Sequence, residues 1–215
     1  MIRIDGQTVA IDKATAAAVL GHAAGKKSSR ESLRGLSVDP VAGILAATDG
    51  HRLAAIWCEG EPYGGARIER RAPWVAREAW EIAIRACPAG GRIEARRLFA
   101  DAGPSGRIAL RAVDRRGNVI LPWTEPHAQE RDGGNWPDVR GLMPSWGDET
   151  GEGPERGAAR RGGISPAHLA AGAELLSTLP AGGDSIAIHV PPTWLDPWVL
   201  RAPSGMVLVM PTRIV

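Results

Sequence analysis

The feature that most constrains the fold is a pattern of one strand, one helix and three strands that recurs along the 215-residue chain. Alternating apolar residues indicate the strands, and apolar residues three or four positions apart indicate the helices. A unit of roughly 60 residues cannot cover both its sheet and its helix, so neighbouring units must stack beside it. We expect a first unit over residues 1–59 and a second over 60–126, together forming one domain. A connector over 127–157 then leads to a third unit, a half domain, over 158–215.

Each expected helix has a recognisable start or stop signal. Asp12 is a plausible N-cap of the first helix, and Gly25 follows its expected end. The second helix is expected from about Val75 to Cys87. The third has the clearest start, with Ser165 as N-cap and Pro166 as the first helical residue.

The expected strands surround these helices. Their ranges are 2–11 in part, Leu33–Val38, Ala42–Ala47, Arg52–Trp57, Ala66–Ala72, Arg92–Phe99, Arg107–Val113, Asn118–Pro122, 184–190, 197–203 and 205–215.

The segment ILAATDGHRLAAIW, over Ile44–Trp57, interrupts an apolar run with five polar or small residues. Asp49 and Gly50 favour a hairpin turn, because the turn requires a positive φ that glycine adopts without a Cβ penalty. His51 and Arg52 then either begin the next strand or form exposed polar groups on a rigid turn. An Asp49/His51 acid–base pair is the third reading. No nucleophile motif, phosphate-binding loop, zinc spacing or second carboxylate accompanies it, so we expect no enzymatic activity, cofactor or metal.

Composition bounds the remaining possibilities. Hydrophobic residues make up 44% of the chain, and no apolar run reaches the roughly 18 residues that a membrane span needs. Charged Arg3 and Asp5 near the start argue against a signal peptide. Cys58 and Cys87 lack metal-type spacing and favour a buried, reduced pair in a cytoplasmic protein. A net charge of +2 does not imply a uniformly basic face, although a local basic stripe remains possible.

Three separated segments resemble the bacterial DNA polymerase sliding clamp, the β subunit of DNA polymerase III. They are ATDGHRLA (Ala47–Ala54), WPDVRGLMP (Trp136–Pro144) and VMPTRIV (Val209–Val215). In that family the segments read closely as TDGHRLA, FPDYRRVLP and VMPMRL, in the same order and at comparable spacing. RESLRG (Arg30–Gly35) is also similar to the family's RYYLNG segment before the hairpin. The resemblance implies an α+β DNA clamp fold of repeated βαβββ units, with outer antiparallel sheets and inner helices.

The resemblance also implies a function. Clamps of this family are non-enzymatic rings that encircle double-stranded DNA independently of sequence and serve as processivity factors. They tether a DNA polymerase, and engage the clamp loader, through short clamp-binding peptides. The chain departs from the family in having three units instead of six. Since rings of the family contain twelve units, counting favours a homo-oligomer of four chains.

The family's peptide pocket lies between its second and third domains, and matching residues occur here on both sides. Gly141 stands where a basic residue is usual, and Thr212 replaces a methionine. An aliphatic and thioether wall with a few polar groups suits apolar peptide anchors, although Leu53 and Met210 would equally serve as ordinary core. The matched positions are Leu33, Thr48, His51, Arg52, Leu53, Pro137, Leu142, Leu208, Val209, Met210, Pro211 and Arg213.

Candidate DNA contacts are basic, because a sliding protein should touch phosphates without reading bases. Lys26, Lys27 and Arg30 precede the second strand of the first unit, where related clamps have a DNA-contacting loop. Arg77 and Arg85 lie on the second helix and would face a pore. The alternative is that these side chains are simply solvated.

The alternative function retains the peptide pocket but does not involve a ring around DNA. A shortened clamp would then act as a non-encircling binding module that sequesters clamp-binding peptides or caps a full-length clamp.

Overall fold

Among the residues described in this computed structural model of the protein, three α-helices are each preceded by one strand and followed by three strands. The structure describes residues 2–5, 8–39, 43–57, 74–98, 107–124, 162–179, 185–191 and 196–213. The first repeat contains β2, α1, β3, β4 and β5, with β1 before it. The second contains β6, α2, β7, β8 and β9, and the third contains β10, α3, β11, β12 and β13, with β14 after it. The bounds are β1 Ile2–Asp5, β2 Thr8–Asp12, α1 Lys13–Leu20, β3 Gly35–Asp39, β4 Ile44–Thr48, β5 Arg52–Trp57, β6 Trp74–Ala76, α2 Arg77–Ala86, β7 Arg92–Leu98, β8 Arg107–Val113, β9 Val119–Leu121, β10 Gly162–Gly163, α3 Pro166–Ser177, β11 Ala187–His189, β12 Trp198–Ala202, β13 Gly205–Val209 and β14 Thr212–Arg213.

Two of the helices begin at the predicted caps. The Asp12 carboxylate accepts a hydrogen bond from the Thr15 backbone N–H at 2.9 Å, and Ser165 caps α3 with Pro166 in its first turn. These side chains satisfy donors that lack a partner inside the helix. The end of α1 differs from the expectation, because Gly21 caps it in a right-handed conformation, four residues before Gly25.

The strands within the described ranges form two main antiparallel sheets. One has the order β1-β2-β7-β8-β9, and the other has the order β11-β12-β13-β5-β4-β3-β6. The second sheet joins the first and third repeats, because β13 pairs with β5 over five residue pairs from Gly205–Ile56 to Val209–Arg52. Strands far apart in sequence are therefore neighbours at this joint. A short third pairing links β10 with β14.

The helices cover one face of the seven-stranded sheet. Leu36, Leu45 and Ile56 point to that face and pack in one core cluster with Trp80 of α2 and Leu176 of α3. Residues one position away in sequence form a second buried cluster on the opposite face, since side chains alternate along a strand. That cluster contains Ile44, Ala46, Leu53, Ala55, Trp57, Val199, Met206 and Leu208.

Some of the sequence expectations concern residues outside the described ranges, and others can be compared with the structure. The expected strand over Ala66–Ala72, Cys58 and the whole connector lie outside. Cys87 is buried and forms no disulfide. Among the described residues, no helix combines the length and apolar character needed to cross a bilayer.

Candidate functional site

The turn between β4 and β5 is held by one carboxylate. Asp49 accepts hydrogen bonds from the backbone N–H groups of His51, at 2.9 Å, and Arg52, at 3.0 Å. It also accepts from the Arg52 side-chain Nε at 3.1 Å. Gly50 has a φ of 92°, the left-handed conformation that the Asp-Gly pair predicted. The turn therefore presents His51 in a fixed position.

These contacts also set the protonation of Asp49. Burial alone would raise its pKa, but the hydrogen bonds from the backbone of His51 and Arg52, with the Arg52 charge, outweigh that effect and hold the pKa below its usual value. The carboxylate thus stays ionised and engaged at neutral pH. An engaged carboxylate is a structural anchor of the turn and is not available as a free base.

Two further contacts tie the turn to its surroundings. The Thr48 hydroxyl donates to the Arg52 carbonyl at 2.7 Å and accepts from the Gly50 N–H at 3.1 Å. The Arg52 Nη2 donates to the carbonyl of Gly21, at the end of α1, at 3.1 Å. Arg52 therefore connects the turn to the first helix.

The third repeat meets this turn from the side of β13. Val209 is the register partner of Arg52, and Leu208 is that of Leu53. One residue beyond the strand, the Met210 N–H donates to the His51 carbonyl at 2.8 Å. Met210 itself is 40% exposed. An exposed thioether therefore lies next to the exposed His51.

Histidines from two helical regions complete the site. The His168 ring of α3 stacks against His51, with ring centroids 6.0 Å apart. His22, just after α1, is buried and hydrogen-bonds to the backbone of Ala171 in α3. Burial and then the nearby Arg52 charge lower the pKa of His22 to about 4. His22 is therefore neutral at physiological pH and fastens α3 to the first repeat.

The structure thus brings together most of the residues matched to the family's pocket. Thr48, Leu53, Leu208 and Val209 are buried, with Leu53 and Leu208 on the sheet face opposite the helices and Val209 on the helix face, and His51 and Met210 are exposed. Leu33 lies in a short 3₁₀ helix beside the turn, with its Cδ1 3.7 Å from where a Cβ on Gly50 would be. The remaining matched residues are Arg52 and Pro211, both half-buried, Arg213 in β14, and Pro137 and Leu142, which lie outside the described residues.

Sequence reasoning missed the contacts of His22 and His168. No local signal marks either residue, because each contact joins positions more than a hundred residues apart. The pairing of β13 with β5 brings the first and third repeats together.

The candidate DNA residues differ in their surroundings. Lys27, Arg30 and Arg85 are exposed, and Lys26 forms an ion pair with Glu81 at 2.6 Å. Arg77 is mostly buried, and its guanidinium donates to the carbonyls of Leu20, Ala23 and Ala24. Arg77 therefore stabilises the end of α1, a role that the sequence did not reveal. Across the part of the chain that the structure describes, no group of His, Cys, Asp and Glu side chains has a metal-binding arrangement.

Comparison with solved structures identifies the fold. The DNA polymerase sliding clamp of Pseudomonas aeruginosa with a ligand matches at a TM-score of 0.54 and 17% identity, covering 97% of this chain and 66% of that one. The DNA polymerase III subunit beta of the same organism matches at 0.55 and 16%, covering 99% and 69%. The DNA polymerase III subunit beta of Borrelia burgdorferi, in complex with a natural product, matches at 0.55 and 14%, covering 97% and 64%.

The protein therefore has the sliding-clamp fold, an α+β fold of antiparallel sheets and helices. The chain spans about two thirds of the length of these solved clamps. No protein-family model matches the sequence, and no curated protein matches it.

Proposed function

We propose that the protein is a DNA sliding clamp, a processivity factor without enzymatic activity of its own. It encircles duplex DNA and tethers a DNA polymerase, or another replication or repair factor, through a peptide pocket. The observation that carries the proposal is the meeting of two clamp-like segments on a clamp fold. The TDGHR turn and the VMP segment are joined by the hydrogen bond between His51 and Met210.

The chemistry of this place suits a short apolar peptide. Met210 offers a flexible, polarisable side chain that adapts to different apolar anchors, and His51 offers a polar group beside it. The buried Leu208 and Leu53 make the base rigid. A rigid base with a few exposed anchors concentrates binding energy in a small number of side chains.

Peptide binding is tested with a labelled peptide that ends in two consecutive hydrophobic residues, measured by fluorescence polarisation. Met210→Ala should weaken binding by about tenfold or more, as expected for a central anchor. Ile82→Ala is the matched control, since Ile82 is also an exposed apolar residue but lies on α2. Equal affinities of both variants and the wild type would remove the pocket from the proposal.

The DNA part of the proposal rests on charge and topology. Lys26, Lys27, Arg30 and Arg85 are basic side chains near α1 and α2, suited to phosphate contacts without base readout. Encirclement is tested by loading the protein on a nicked circular plasmid and filtering at raised salt. The protein should be retained on the circle and lost after linearisation. Equal loss from both forms would exclude encirclement.

A second function rests on the same site, which a single chain assembles by pairing β5 with β13. A non-encircling module would sequester clamp-binding peptides or cap a full-length clamp. The mass in solution separates the two functions. Four chains supply the twelve units of a ring, whereas a stable monomer that binds the peptide would support the module.

A further inference from the structure

The first two repeats complete each other reciprocally. The strand before the first helix, β2, pairs with β7, the strand after the second helix. In the same way, β6 pairs with β3. The helices follow this exchange, because α1 packs against α2, α2 contacts β3, and α1 contacts β7. In each repeat, the strand after the helix is therefore covered by a strand and a helix of the other repeat.

The third repeat has the same elements but lacks such a neighbour among the described residues. Strand β2 lies between β1 and β7, whereas β10 pairs only with β14. Strand β3 lies between β4 and β6, whereas β11 pairs only with β12. Within the described part of the chain, each of these two strands thus keeps one edge without a strand beside it.

Burial shows the same difference on the face of β11. Ile186 packs against the core cluster that contains the helices, so Ile188 and Val190 point to that side by strand alternation. Ile188 is 53% exposed and Val190 is 65% exposed. On β3, Leu36 and Val38 point to the same side and are fully buried. Strand β11 therefore has the apolar pattern of a buried strand, but within the described residues no strand or helix of a neighbouring repeat covers it.

Helix α3 shows the complementary deficit. Four and eight residues after its N-cap lie Leu169 and Ala173, which are only partly buried. The corresponding residues of α1, Ala16 and Leu20, are buried. Four residues after the N-cap of α2 lies Trp80, which is fully buried, and eight residues after it lies Ile84, which is partly buried. In the third repeat, one face of α3 and one face of β11 thus have the apolar residues that the first two repeats bury against each other.

We infer that a second copy of this chain supplies that sister, with the two third repeats related by a twofold axis. Strand β10 of each copy then pairs with β11 of the other, and each α3 covers Ile188 and Val190 of its partner. A twofold axis satisfies both copies with one interface, as in most homodimers. The dimer contains three complete domains. This inference deepens the proposed function by naming its subunit contact, but it rests on the repeat pattern and does not require DNA.

A second copy is favoured as the partner at this surface because each chain carries both contacting parts, namely β10 with α3 and the exposed face of β11. Exposed edges and apolar strand faces are otherwise sites of nonspecific pairing. The helix and strand that cover β3 are built from the same type of repeat that lacks a cover at β11.

The test is the mass of the full chain by native mass spectrometry and analytical ultracentrifugation. The wild type should contain an even number of chains. Ile188→Glu should halve the mass, because a carboxylate would be buried without a partner at the interface. The matched control is Ile82→Glu, since Ile82 is also 53% exposed but lies on α2, and its mass should equal that of the wild type.

Folding of each variant is checked by circular dichroism and thermal unfolding, and Val190→Glu gives an independent second variant on the same face. A wild-type monomer or trimer would overturn the inference, as would Ile188→Glu and Val190→Glu proteins that fold and keep the wild-type mass. A wild-type dimer that Ile188→Glu converts to monomers would support the inference and remove the closed ring of four. A tetramer reduced to dimers that still bind the peptide would support both.

Discussion

At the scale of single residues, charged and titratable groups are used for connection between elements. Arg52 links the turn to α1, Arg77 links α2 to the end of α1, and His22 links α1 to α3. Helix ends leave carbonyl groups without intrahelical partners, and buried carbonyls require them. This requirement explains why an arginine first assigned to DNA serves the fold.

Replacing Arg77 should separate stability from DNA binding. Arg77→Ala removes the guanidinium donor of the Ala23 and Ala24 carbonyls and one of the two donors of the Leu20 carbonyl, and each buried unsatisfied group costs about 1–3 kcal/mol. We expect the free energy of unfolding, measured in urea, to fall by about 2–4 kcal/mol for the set. Arg85→Ala is the control, because Arg85 is exposed on the same helix. Equal losses for both variants would contradict the assignment.

The buried His22 should make stability depend on pH. Its pKa is about 4 in the folded protein and 6.5 in the ordinary state. The unfolded chain therefore binds a proton that the folded chain does not, and stability declines as pH falls from 6.5 to about 4. The full effect is about 3 kcal/mol.

The measurement is urea unfolding of the wild type and of His22→Leu across this range. The difference between the two proteins should change with pH mainly between 4 and 6.5, because carboxylates titrate equally in both. A difference that stays constant over the range would contradict the assigned pKa.

At the scale of elements, the sequence predicts features that depend on neighbouring residues, but it does not predict contacts between distant segments. The bounds of β5 and β8 agree with the expected ranges, and Asp12 and Ser165 are the caps that the sequence indicated. These features depend on neighbouring residues. The end of α1 was misplaced because Gly21 needs no left-handed conformation there. The pairing of β13 with β5 has no local signal, and only the resemblance to clamps placed the two segments on one pocket.

The turn between β4 and β5 depends on Gly50. At a φ of 92°, any side chain adds strain of about 1–2 kcal/mol. Gly50→Ala should therefore lower stability by that amount and weaken peptide binding through the displaced His51.

Gly25→Ala is the matched control, because a Cβ there meets no atom within 4 Å. It should leave stability unchanged or raise it by about 0.4–1 kcal/mol through the unfolded chain. The outcome against the prediction is a Gly50→Ala protein as stable as the wild type in thermal unfolding.

At the scale of the whole molecule, the proposed ring should hold DNA by weak, salt-sensitive contacts. Each phosphate contact that is lost reduces the slope of log affinity against log salt by about 0.9. Replacing Lys26, Lys27, Arg30 and Arg85 together by alanine should reduce that slope by up to about 3–4 on linear DNA, measured by fluorescence anisotropy.

The same four replacements should leave the thermal midpoint and the oligomer mass unaffected, because all four side chains are at least partly solvated. An unchanged salt slope would place the DNA contacts on other residues.

The joint between β5 and β13 has a consequence for how the protein is made. One wall of the candidate site comes from residues 48–53 of the first repeat, whereas Met210 belongs to the third repeat, far later in the sequence. Domains fold as they leave the ribosome, beginning from the N-terminus. A nascent chain therefore cannot offer both walls of the site to a partner peptide before Met210 has left the ribosome, so products that terminate before Met210 should not compete for the polymerase.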